Sequence, residues 1–271
     1  MTTSDAVHLS HSVNLPYETD AGLGPNAHIG LIVTSNDQTL SYEARRMLTV
    51  PGIALYESRL LSVRPKDGEL NVGELRGMPE RIVASVRLIN TICAPDVVAL
   101  GCTSGAMVMG HAELLQRVRE IFPGAEVTDP LTGLLSSLTA LNVTRVCFIS
   151  PYPRQVADMM MGELRAAGHE VPVFGAFSHE GSNVSADAPF IAQRSIADAV
   201  LHLGRSDLVD VVFVACTQLR GAELIEDLEK DLAKPVITSN QALCWHALRL
   251  ARYSNPVHGW GTLFRSDMSR D

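Results

Sequence analysis

A chain of 271 residues, 46% hydrophobic and 19% charged, can bury a sizeable core as one large or two small domains and is neither disordered nor fibrous. Its net charge of −8, with no run of lysine or arginine, speaks against nucleic acid and anionic membranes as partners, so an anionic ligand would have to be bound locally. The five cysteines, at 93, 102, 147, 216 and 244, lack Cys-x-x-Cys spacing, which argues against a disulfide framework or a metal site and fits a reducing cytoplasm.

Residues 1–26 are polar and aperiodic, without the positive start and apolar core of a leader, and read as a flexible or surface-draped arm. No later window approaches the roughly eighteen uninterrupted apolar residues of a membrane span. Residues 28–33 form an apolar strand ending in the polar turn Thr34, Ser35, Asn36 and Asp37, and Leu40, Ala44, Met47 and Leu48 then share one helical face. Pro51 and Gly52 break that helix, and residues 53–56 make a second strand leading to Glu57, Ser58 and Arg59. Ile82, Val86, Ile89 and Cys93 keep helical spacing, which predicts a buried helix face that includes Cys93 and gives it no chemical role. Residues 97–101 are apolar without alternation, as in a fully buried strand, and run straight into Cys102, Thr103, Ser104 and Gly105. A helix through Leu114, Val118 and Ile121 follows, stopped by Pro123 and Gly124; residues 126–130 read as a short strand and turn, and Leu131, Leu134, Leu135, Leu138 and Leu141 as a helical stripe.

Residues 143–149 restart the pattern as a strand ending in Ser150, Pro151, Tyr152 and Pro153, with a helix through Val156, Met160 and Leu164. A strand over 171–176, a loop from His179 to Asn183 and a helix through Ile196 and Leu203 lead to a second buried strand at 211–215, again running into Cys-Thr at Cys216 and Thr217. Leu224, Leu228 and Leu232 mark the next helix; a short strand and turn over 235–240 and a last helix through Cys244 and Leu248, returning onto the first half, complete the chain, with Cys147 and Cys244 as core residues. Ser35 to Ser150 is an offset of 115 residues and Cys102 to Cys216 one of 114, so the second half copies the first. Strands alternating with long helices predict an α/β protein of two pseudo-symmetric, flavodoxin-like parallel-sheet halves, with an arm over 1–26, one half over 27–131 plus 241–271 and the other over 132–240.

Ligands of open parallel sheets bind beyond the carboxyl ends of the strands, which here carry Asn36, Cys102-Thr103-Ser104, Tyr152 and Cys216-Thr217. A cysteine ahead of a helix start sits where backbone N–H groups favour an anion and lower a thiol pKa. A single such cysteine is more often a small buried hydrophobe; a matched pair points to chemistry, two thiols bracketing one carbon next to a carboxylate. Thr103, Ser104, Thr217 and two helix starts are the candidate donors to the enediolate formed by proton abstraction. Glycine-rich nucleotide loops are absent, and the chemistry calls for no cofactor.

The duplicated Cys-Thr turns, the Thr-Ser-Asn-Asp turn at 34–37 and the Ser-Pro-Tyr turn at 150–152 resemble the aspartate/glutamate racemase superfamily, from about residue 28 to 253. Within it the chain looks like the group of maleate cis-trans isomerases, arylmalonate decarboxylases and the racemase-like proteins of ectoine utilisation. That resemblance implies Cys102 and Cys216 as the catalytic pair and Asn36, Tyr152 and Asn183 as carboxylate binders. It implies a small carboxylate or dicarboxylate substrate, no metal or cofactor and a homodimer. Arylmalonate decarboxylases keep only the second cysteine, so having both points to racemisation or isomerisation. Thr103-Ser104 stands where maleate isomerases have apolar residues, and Gln218 replaces the histidine of glutamate racemases.

Other readings stand beside these. Asn36 and Asn183 are also ordinary turn formers, Tyr152 between two prolines can be a packed loop aromatic, Arg59 can bind a carboxylate or line a subunit contact, and His111 and His179 read as surface residues. Decarboxylation through Cys216 is one alternative activity. Two similar halves closing on a small acid is also how solute receptors are built.

Overall fold

A computed structural model describes residues 13–62, 70, 72–90, 92–178 and 184–268; Asn183 and the rest of the 179–183 loop lie outside the described residues, as do residues 1–12 of the arm. The unalternating apolar runs become strands buried on both faces, as parallel sheets require. β1 (Ala27–Thr34), β2 (Ile53–Leu60), β3 (Val97–Gly101) and β4 (Glu126–Thr128) form one sheet in the order β2-β1-β3-β4. β5 (Arg145–Ser150), β6 (Glu170–Ala176), β7 (Val211–Val214) and β8 (Val236–Thr238) form the second in the order β6-β5-β7-β8. Every pairing is parallel, and the two orders are the same when strands are counted within each half.

Register decides which turns meet. Val33 of β1 pairs with Gly101 of β3, so the Ser35-Asn36 turn lies beside Cys102. Ile149 of β5 pairs with Val214 of β7, so the Ser150-Tyr152 turn lies beside Cys216. Each sheet therefore presents a cysteine turn next to a polar turn at the carboxyl ends of its two central strands.

Helices cover the sheets by their apolar stripes: α1 (Leu40–Met47), α2 (Val72–Arg76), α3 (Met78–Arg87), α4 (Thr103–Met109) and α5 (His111–Arg119) in the first half, and α7 (Arg154–Ala166), α8 (Val184–Asp187), α9 (Gln193–Gly204) and α10 (Ile225–Leu232) in the second. α6 (Pro130–Ala140) leaves the first sheet and α11 (Ser239–Leu250) the second. These two pack on each other, α6 also against α4, which itself meets α7, and α11 also against α1, β3 and β4, so they form the seam between the halves. Their backbones approach at Gly133, where an added Cβ would lie 2.6 Å from the Ala242 carbonyl oxygen. Trp245, fully buried, donates its indole N–H to the Ser266 carbonyl, and the Arg249 guanidinium holds the Phe264 and Ser266 carbonyls, which ties the C-terminal segment to α11. Cys147 and Cys244 are buried in this core. Among the described residues no helix is long and apolar enough to cross a membrane.

Two expectations need correction. The helix expected to carry Cys93 stops at Arg87, and Cys93 is exposed, because the Asn90 side chain accepts from the Ile92 and Cys93 N–H groups and turns the chain out of the helix. The helix expected after Cys102 is two helices, divided at Gly110, whose φ of 78° is left-handed. Gly133→Ala should cost about 1–3 kcal/mol by overpacking the seam, seen as a lowered denaturation midpoint at unchanged m-value; wild-type stability would show that the α6–α11 approach is not tight.

Candidate active site

Both cysteine turns open into one cavity of about 70 Å³, whose lining includes the polar or reactive residues Asn36, Cys102, Thr103, Ser104, Tyr152, Cys216, Thr217 and Gln218 and the apolar residues Leu61, Leu70, Leu75 and Met78. Seven of the eight residues expected from the sequence are thus gathered in one place. Asn183 lies outside the described residues, and Arg59 is absent from this lining, its guanidinium bracing the Thr34 and Asp37 carbonyls.

The two thiols are held differently. Cys102, half-buried, caps α4: its sulfur accepts from the Gly105 N–H at 3.4 Å and lies 3.9 Å from Ser104 Oγ. An amide aimed at a sulfur favours negative charge there. Cys216 was expected to precede a helix in the same way. Instead the chain turns through Thr217–Gly221, a 3-10 turn intervenes before α10, and Cys216 itself adopts a φ of 116°. That is a left-handed backbone on a residue with a Cβ, a strain that persists only where the surroundings enforce it. Its thiol pKa is not lowered but pushed up to about 12, first by burial, then by the negative charge of Asp37 and of Cys102, against hydrogen bonds from the Gln218 N–H and from Tyr152. Cys216 is a neutral thiol near neutral pH. Tyr152 is likewise pushed well above its ordinary value by burial, by the charges of both cysteines and by its hydrogen bond to Cys216, so its phenol stays a donor; Thr103 is its other hydrogen-bond neighbour.

What enforces the Cys216 turn comes from residues that the spacing of the sequence did not single out. Ser239 Oγ, fully buried at the start of α11, accepts from Thr103 Oγ1 at 2.9 Å and from the Cys216 N–H at 3.0 Å, and so joins the two cysteine turns. The N-terminal end of α1 reaches across to the same turn. Asp37 Oδ2 accepts from Thr217 Oγ1 at 2.7 Å while its Oδ1 caps α1 through the Thr39 and Leu40 N–H groups, and Thr39 Oγ1 donates to the Gln218 carbonyl at 2.9 Å. One turn on, Glu43 accepts from the Ala222 N–H at 3.1 Å and from Asn240 Nδ2 at 2.7 Å, and Asn240 also donates to the Thr217 carbonyl at 2.9 Å. Burial pushes Asp37 up from its ordinary value and Glu43 up to about 7, despite these donors. The hydroxyl protons of Thr103 and Thr217 are therefore committed to Ser239 and Asp37, which leaves Ser104, the Asn36 amide and backbone N–H groups as donors toward a ligand. The one signal in the sequence was Asp37 and Thr39 flanking the polar turn; the cross-half pairings need the fold. Among the described residues, no group of three or more His, Cys, Asp or Glu side chains could hold a metal ion.

The model of the arylmalonate decarboxylase family matches residues 76–264, which include both cysteine turns and the α6–α11 seam. The chain belongs to this family. Among curated relatives, a maleate isomerase of Nocardia farcinica is 24% identical over 251 residues, covering 88% of this chain and 96% of the relative. The Nocardia farcinica maleate cis-trans isomerase bound to TRIS has a similar fold, with a TM-score of 0.76 at 24% identity over 88% of this chain and 98% of that one. A serine-for-cysteine mutant of that enzyme, with a covalently bound succinylcysteine intermediate, superposes with a TM-score of 0.75 at 24% identity, over the same shares of the two chains. Arylmalonate decarboxylase itself gives 0.68 at 23% identity over 89% of this chain and 100% of that one.

Ser239→Ala strips a buried acceptor from Thr103 and from the Cys216 N–H and should cost about 1–3 kcal/mol in chemical denaturation, with larger loss of activity than of stability; unchanged activity would show that the two turns hold without it. Glu43, protonated more readily folded than unfolded, weakens folding as pH rises from its ordinary value near 4.5 towards about 7. His246, pushed down to about 4 by burial, acts in the opposite sense, so the comparison that isolates Glu43 is with Glu43→Gln. Across that window wild type should lose on the order of 3 kcal/mol relative to the variant; parallel stability-pH curves would show that Glu43 is ordinary.

Proposed function

We propose that the chain is a cysteine-dependent cis-trans isomerase of an unsaturated carboxylate, with Cys102 as the nucleophile and Cys216 as the proton donor opposite. The observation that carries this is the unequal setting of the thiols: Cys102 is half-buried and caps α4, accepting from the Gly105 N–H, whereas Cys216 is buried and held neutral by that burial and by nearby negative charge, against its own donors. A two-base racemase needs each sulfur to serve in turn as the base, which suits a matched pair better than this one. The relatives, maleate isomerases and a mutant of one with a covalently bound succinylcysteine intermediate, support the same chemistry.

In the proposed reaction Cys102, as thiolate, adds to one carbon of the cis double bond. A C–S bond forms, and the π pair moves to the neighbouring carbon and into its carboxylate as an enediolate. Ser104, the Asn36 amide and nearby N–H groups meet that charge. The former double bond is now single and rotates. Cys216 lends its proton to the carbanionic carbon and takes it back, after which the electron pair re-forms the double bond in the trans geometry and expels Cys102 as thiolate. Tyr152, a phenol that stays protonated, donates to Cys216 and steadies it whenever it carries charge. Nothing is oxidised or reduced, and water takes no part.

The same neutral Cys216 favours a second reading, decarboxylation of a malonate-like diacid, in which carbon dioxide leaves and Cys216 protonates the remaining carbanion. The variants separate the two. With an unsaturated diacid, Cys216→Ser should accumulate an adduct equal to one substrate mass on the intact protein, while Cys102→Ser forms none, and both lose at least about a hundredfold in kcat. Release of carbon dioxide by Cys102→Ser at the wild-type rate would move the reading to decarboxylation. Full isomerase activity in both variants would end it.

A further inference from the structure

The arm keeps its apolar residues in the open. Val13, Leu15, Tyr17 and Leu23 are 64%, 79%, 86% and 86% exposed, and every residue from 13 to 23 is exposed with them. Val13, Leu15 and Tyr17 alternate with Asn14, Pro16 and Glu18, so an extended segment carries the three on one face, and Pro16 opposes a helix there. The root of the arm is fixed: the Asn26 and Ala27 N–H groups both donate to the Gly52 carbonyl, at 2.9 and 3.2 Å, and a Cβ on Gly24 would lie 2.2 Å from the His28 ring. An apolar ribbon thus leaves the body from a fixed point without burying its apolar face, which is the mark of a contact made with another molecule. At the same root lies an open groove of about 540 Å³, at the starts of β1 and β2 and the end of α11. Pro51 and Ile53 line it from β2, and Arg252, Tyr253 and Ser254 from the turn after α11. Arg252 is the one charged residue of its described lining; it is exposed, and its guanidinium makes no hydrogen bond or ion pair among the described residues. Residues 13–23 contain Glu18 and Asp20 and no lysine, arginine or histidine, so arm and groove are opposite in charge. The arm starts beside this groove and does not fill it. Eleven extended residues reach about 36 Å, and in a two-fold pair a groove beside the root of one arm is within reach of the other arm. Eleven arm residues and the nine that line the groove put twenty on each side, at the lower end of the roughly 20–30 of a standard specific interface.

We propose that residues 13–23 dock in this groove on a second copy of the chain, with Val13, Leu15 and Tyr17 against Pro51, Ile53 and Tyr253 and an arm carboxylate on Arg252, and that the exchange is reciprocal, making a two-fold dimer. The assignment is independent of the reaction, because the groove lies at the opposite ends of the strands from the cysteines. Sedimentation equilibrium of the full chain reads the association directly. Wild type should be a dimer at micromolar concentration. Leu15→Asp combined with Tyr17→Asp should weaken association at least about a hundredfold, and Arg252→Glu at least about tenfold; far-UV spectra should not change, because these side chains are exposed in the single chain. Glu18→Arg combined with Asp20→Arg should weaken it as Arg252→Glu does, and joining the two changes in one chain should recover affinity. In a Cys93→Ser background, a Tyr17→Cys copy mixed with a Ser254→Cys copy should form a disulfide-linked pair faster than either copy alone. A monomeric wild type, or a dimer indifferent to Leu15 and Tyr17, would overturn the exchange. So would a crosslink that forms within one copy bearing both cysteines while the mixture forms none, and a dimer lost with the arm but not recovered by charge reversal would overturn the groove as its seat.

Discussion

Ser239 Oγ is the point through which the two halves become one site. It accepts from Thr103 on the first cysteine turn and from the Cys216 N–H on the second, inside a seam where α6 and α11 touch at Gly133. A buried hydroxyl with two donors aimed at it has little freedom, since losing either leaves an unpaired buried group. The separation of the two sulfurs is therefore fixed by covalent geometry and two hydrogen bonds rather than by the looser packing of two domains. The reaction proposed for the two thiols depends on such a fixed placement, because misplacement by about 1 Å can cost a hundredfold.

Duplication gives two Cys-Thr turns, but the surroundings make them unlike. The first cysteine leads directly into a helix and meets an amide. The second is followed by an extended turn in a strained backbone, over which α1 of the opposite half places two buried carboxylates. Those carboxylates hold the turn through Thr217, Ala222 and Asn240, and Asp37 adds negative charge near Cys216, which resists losing its proton. One set of contacts thus does two things: it imposes the backbone that aims the sulfur, and it keeps the sulfur neutral.

The parallel sheets, the internal copy and the gathering of Asn36, Cys102, Tyr152 and Cys216 were legible because they depend on local pattern: unalternating apolar runs make buried strands, and register carries their ends to one edge. Cys93 was misplaced because helical spacing continued past Asn90, whose side chain captured two N–H groups and ended the helix. The inequality of the thiols was not legible. Glu43 and Asn240 are 197 residues apart, and Glu43 in isolation reads as one more polar position of α1.

The placement of Asp37, Thr39 and Glu43 also says how the halves share stability. All three belong to the first half, and their partners, apart from the capping N–H groups of α1, belong to the Cys216 turn, to Ala222 or to α11. Buried carboxyl groups are tolerated only while such donors are in place, and partly separating the halves would take those donors from both of them. Opening of the cleft at this edge is accordingly opposed by desolvation as well as by lost packing.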